Sequence, residues 1–108
     1  MNASLLAGLR AQCGGPRDGA LLRFSLGNAL LAAGDSSAAI EEFRRAVTFD
    51  ATYSAAWKLL GKACLANGDE HGAADAWQHG IAAAQQRGDK QAEKEMVVFL
   101  KRVASTRK

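Results

Sequence analysis

The ten residues Leu26-Gly27-Asn28-Ala29-Leu30-Leu31-Ala32-Ala33-Gly34-Asp35 return thirty-four positions later as Leu60-Gly61-Lys62-Ala63-Cys64-Leu65-Ala66-Asn67-Gly68-Asp69, with seven of ten identical. A chain that states one pattern twice at this spacing is constrained to fold as stacked units, each burying its apolar face on the next. The end of the pattern says what the unit is. Gly-Asp closes both copies and occurs again as Gly88-Asp89. Glycine can take the left-handed backbone that ends one helix, and aspartate can accept hydrogen bonds from the amides that open the next. Gly14-Gly15-Pro16 with Asp18 marks a similar break nearer the amino terminus.

This punctuation predicts six helices, over about 3–13, 18–33, 36–49, 53–66, 70–86 and 89–104. Apolar spacing agrees. Leu22, Leu26, Ala29, Leu30 and Ala33 recur at three- and four-residue intervals, as do Ala92, Met96, Phe99, Leu100 and Val103. One proline, one tyrosine and abundant alanine and leucine favour helix, and no run of alternating β-branched residues suggests a strand. The connections are too short for anything but antiparallel neighbours. The expected fold is therefore all-α, a single domain of two equal helical hairpins with a further helix at each end.

On these residues the chain resembles the tetratricopeptide repeat family. The second unit, about 54–87, supplies Trp57, Leu60, Gly61, Cys64, Ala73 and Trp77 at the family's spacing, with Gly80 where alanine is usual. The first, about 20–53, supplies Leu26, Gly27, Leu30, Ala39, Phe43 and Ala46, but Arg23 stands where the Trp-like residue belongs. Both lack the usual closing proline, having Ala51 and Gln85 there. The resemblance implies a right-handed α-α superhelix, capped by residues 1–19 and 88–104 and followed by a short tail, 105–108. Leu5, Leu6 and Leu9 would seat the first cap. Gly27 and Gly61 would let the partner helix of each hairpin approach, with Ala39 and Ala73 doing the same from the other side.

The resemblance also implies a binding module whose first helices line a concave groove. Leu21, Phe24, Asn28 and Leu31 would face it from one helix, and Ala55, Lys58, Lys62 and Leu65 from the next. Gln91, Lys94, Val98, Lys101 and Arg102 would face it from the last. That inner surface is basic with apolar islands. No Asp or Glu falls between Gly19 and Gly34 or between Ala51 and Asn67, whereas Glu41, Glu42, Glu70 and Asp75 sit on the second helices, the expected outer wall. Such segregation suits a protein or peptide partner that is acidic or ends in a carboxylate. Asn28, Lys58 and Lys62 are similar to part of the family's carboxylate clamp, with Lys94 or Arg102 as a supplement. Phe24 departs from it.

Other chemistries find little support. His71, Asp75 and His79 share a helix face, but the histidines are about 12 Å apart by helix rise, too far for one metal ion. Cys64 falls in an apolar stripe with no histidine placed to activate it. No phosphate loop surrounds Gly61-Lys62. Neither an enzyme nor a cofactor is expected. The net charge of +3 comes from basic residues scattered over several faces, among them Arg44, Arg45, Arg87, Lys90, Arg107 and Lys108, without interleaved aromatics, which argues against nucleic acid. No apolar run approaches the roughly 20 residues of a membrane span. MNASLLAGLRAQC does not read as a secretion signal, and two cysteines imply no disulfide framework, so a cytoplasmic setting is expected. The alternative to a peptide-binding adaptor is self-association, since only one of Val97 and Val98 can face the core and the other would join Leu65 and Phe24 as an apolar patch.

Overall fold

The computed structural model describes residues 3–106. Six helices follow one another: α1 (Ala3–Gln12), α2 (Ala20–Ala32), α3 (Ser36–Phe49), α4 (Ser54–Ala66), α5 (Glu70–Arg87) and α6 (Lys90–Thr106). There is no strand among the described residues. Helices α2 with α3, and α4 with α5, make the closest pairs, and the chain forms a slab of 42 × 28 × 18 Å. Each helix packs on its sequence neighbours, and α4 also touches α2 and α6 edge to edge. Three first helices thus lie side by side.

The punctuation works as its chemistry dictates. Gly34, Gly68 and Gly88 all have positive φ, and Asp35, Asp69 and Asp89 accept hydrogen bonds from the amides of Ala38, Gly72 and Ala92. The amino-terminal break differs. Helix α2 starts at Ala20, not at 18, and Asp18 turns its carboxylate back to the Gly14 amide and to Arg23. Helix α6 also runs past its predicted end to Thr106, so Ser105 and Thr106 are helical. Arg107 and Lys108 lie outside the described residues.

Counted from their first residues, the three first helices share one pattern. The third and seventh are buried in each: Leu22 and Leu26, Ala56 and Leu60, Ala92 and Met96. The eighth is Gly27 in α2 and Gly61 in α4. A Cβ on Gly27 would come 2.8 Å from the Phe43 ring, and one on Gly61 would fall onto the Trp77 indole. The glycines therefore admit an aromatic ring from the second helix, a tighter demand than close approach of alanine. Phe43 and Trp77 form the centre of one core with Leu26, Leu60, Cys64 and Met96. Leu6 and Leu9 seat α1 on that core, but Leu5 is 49% exposed and does not join it.

The fourth position shows how the chain manages without its expected aromatic. Trp57 holds it in α4, stacked on His79 at 5.1 Å and donating to the Ala51 carbonyl at 2.8 Å. Arg23 holds it in α2, where its guanidinium grips Asp18 through two bonds of 2.8 Å and reaches Glu42 at 2.9 Å. Glu42 therefore turns inward and is not part of an outer acidic wall, because a cation at the aromatic position draws it in. The bidentate arginine and the Gly14 amide hold the Asp18 carboxyl well below the usual carboxylate range. A lowered folded-state pKa stabilises the fold above the ordinary carboxylate value, and that contribution is lost as pH falls below it. The expected result is a melting temperature that drops between pH 5 and pH 2. Asp50 and Asp89, lowered by Arg87 and Ser54, add slope of the same sign. Thermal melts of Arg23→Met should show a shallower drop than wild type, and an equal drop would refute the assignment to Asp18.

Candidate functional site

Helical period places the fifth, ninth and twelfth residue of each first helix on one face: Phe24, Asn28 and Leu31 in α2, Lys58, Lys62 and Leu65 in α4, and Lys94, Val98 and Lys101 in α6. These residues and Arg102, with Leu21, Ala55 and Gln91, are the positions expected to face the groove, and the structure gives them unlike surroundings. Phe24 is stacked on Tyr53 at 5.0 Å and tilted against Phe43 at 6.0 Å, which fixes it as wall. Leu31 is half-buried against the core, and Asn28 is exposed.

Lys58 and Lys62 differ more than their sequence suggests. Lys58 Nζ lies 2.9 Å from Glu95 Oε1, so α6 supplies its counterion. Its charge is spent within the fold, and the inner edge is not free of acidic residues. Lys62 Nζ instead sits 4.9 Å above the centroid of the Phe99 ring. A cation held by an aromatic face keeps most of its charge for another anion, since the contact is worth only about 0.5–1 kcal/mol at an exposed site. No carboxylate pairs with Lys62 or Arg102 among the described residues.

Between α4 and α6 these side chains enclose a cleft of about 290 Å³, lined by Lys62, Leu65, Trp77, Phe99, Arg102 and Val103. Its floor is built from the core outward. Trp77 donates from Nε1 to the Lys58 carbonyl at 3.1 Å and meets Phe99 at 5.3 Å, so the floor is rigid and apolar. Leu65 is 42% exposed at the rim. Two cations and an apolar floor can hold a carboxylate beside a hydrophobic side chain. Phe99 was visible in the sequence only as a core residue, and nothing there signals that it supports Lys62. Lys94 and Val98 lie elsewhere, in a hollow of about 570 Å³ with Lys90, Glu93 and Val97. Val98 is 44% exposed there, and Leu65 lines the other cleft. Lys101 is exposed and lines neither hollow.

The remaining candidates take structural parts. Cys64 is buried, and that burial pushes its thiol pKa up. Cys13 is half-buried, with its thiol 3.6 Å from the Leu9 carbonyl. His79 places Nδ1 2.9 Å from the Asp75 carbonyl, and the described residues contain no group of three His, Cys, Asp or Glu arranged to hold a metal ion. Among the described residues no helix is long and apolar enough to cross a membrane.

Known proteins share this architecture. The tetratricopeptide repeat pattern matches residues 2–54 and, overlapping them, 24–89. A TPR repeat-containing protein from Pseudomonas aeruginosa is 50% identical over 103 residues, which cover 95% of this chain and 98% of that protein. A solution structure of a protein from Bordetella parapertussis superposes with a TM-score of 0.79 at 46% identity, covering 97% of this chain and 90% of the other. Matches that run through both hairpins, at this identity and over nearly the whole length, leave one conclusion: the chain belongs to the tetratricopeptide repeat family.

Proposed function

We propose that this repeat module binds a segment of a partner protein in the cleft between α4 and α6, with Lys62 and Arg102 taking a carboxylate and Phe99, Leu65 and Val103 taking an adjacent apolar side chain. The observation that carries this reading is the pair of cations with no carboxylate partner among the described residues, over an aromatic floor. Asn28 and Leu31 extend the track along α2. Lys58, held by Glu95, positions the α4 and α6 edges and contributes less to the ligand than its sequence position suggests.

The test is binding of peptides that end in an apolar residue with a free carboxylate, against the same peptides amidated. Removing two partly exposed charge contacts of about 1 kcal/mol each should weaken binding by roughly tenfold or more. Lys62→Ala with Arg102→Ala should therefore bind the free-acid peptides at least tenfold more weakly while its circular dichroism is unchanged. Equal affinity of the double variant for those peptides would remove the cleft from consideration.

A further inference from the structure

The two ends of the stack are open in complementary ways. At the eighth position of α2 and α4 a ring from the following helix is seated, Phe43 on Gly27 and Trp77 on Gly61. The eighth residue of α6 is Val97, and no described helix lies over it. It lines the hollow with Lys90, Glu93, Lys94 and Val98, and Val98 is 44% exposed. At the other end α1 precedes α2 as α3 precedes α4, so it occupies the place of a second helix without a described first helix before it. Leu6 and Leu9 face the core, while Leu5, Gly8 and Gln12 share a neighbouring flank one turn apart. On that flank Leu5 is 49% exposed, and a Cβ built on Gly8 would meet nothing within 4 Å.

We propose that copies of this chain associate head to tail, the α1 flank of one seated on the Val97 face of α6 of the next, which completes a hairpin from two molecules. Shape supports this occupant. Val97 leaves no recess for an aromatic ring, and Gly8 offers the small surface that a valine needs. Charge supports it over pairing of two α6 faces. Lys90, Lys94 and Lys101 have no carboxylate partner among the described residues and outnumber Glu93, so two such faces carry the same net sign. Among its described residues the α1 flank carries no charge, since Arg10 lies about 140° around the helix from Leu5, and lysine stems can lie along it.

Single-helix faces bury less than the roughly 1,200 Å² of small stable interfaces, so association belongs at about 0.1–1 mM. Sedimentation of the intact chain over that range should show the mass rising from the monomer's 11.4 kDa with no plateau at twice that value, since head-to-tail contacts leave a face open at each end. Leu5→Glu, at a half-exposed position, and Val97→Glu, at a partly buried one, each checked for unchanged circular dichroism, should remain monomeric. An equimolar mixture of the two should recover a dimer and stop there, because each variant keeps the face that the other has lost. A wild-type monomer throughout overturns the proposal. So does a Leu5→Glu variant that still self-associates, the result expected of α6 pairing with α6, and so does a mixture that stays monomeric.

Discussion

Replacing Gly61 with leucine is expected to cost about 3 kcal/mol of folding stability, at the upper end of overpacking penalties. The magnitude follows from what surrounds the glycine. Its Cβ would fall onto the Trp77 indole, and that ring cannot retreat. It is 2% exposed, bonded through Nε1 to the Lys58 carbonyl and held against Phe99. Either the hairpin α4–α5 opens or the indole leaves the core, and both expose apolar surface. Urea unfolding measures the cost. A loss below 1 kcal/mol with an unchanged m-value would show that the contact is softer than its geometry.

Trp77→Ala should cost about 4 kcal/mol, within the range for removing a large buried aromatic side chain. Trp77 is the largest fully buried side chain, and its loss leaves a cavity bounded by α4, α5 and α6. The two positions are one contact seen from both sides, so their effects should not add. In a Trp77→Leu background, Gly61→Ala should be markedly less costly than in the wild type. Equal cost in both backgrounds would mean that the glycine is required by the helix backbone and not by the ring. Because Trp77 also floors the α4–α6 cleft, its alanine variant should lose peptide binding as well.

Much of this architecture was legible because it is local. Gly34-Asp35, Gly68-Asp69 and Gly88-Asp89 mark helix ends through backbone chemistry that needs no tertiary partner, and the glycines and aspartates do what their types dictate. What the sequence did not show are contacts that depend on how separate helices sit against one another. Glu42 turns inward because Arg23, nineteen residues earlier, stands at the aromatic position. Lys58 loses its free charge to Glu95, and Lys62 keeps its own over Phe99, through the placement of α6 beside α4. Nothing in the spacing of Lys58 and Lys62 distinguishes them. Leu5 stays half exposed for a simpler reason: with Leu6 and Leu9 on the core face, a short helix has more leucine than that face can take.

The pattern in which each helix touches only its near neighbours bears on how the chain reaches this state. With no contact linking the first helix to the last, no long loop must close before partners meet, and chains of low contact order fold fast, on microsecond to millisecond scales. Either hairpin can form first and template the other. Fraying from one end is then a separate event from collapse of the whole, so hydrogen exchange should be protected most in α4 and α5 and fall off toward both termini.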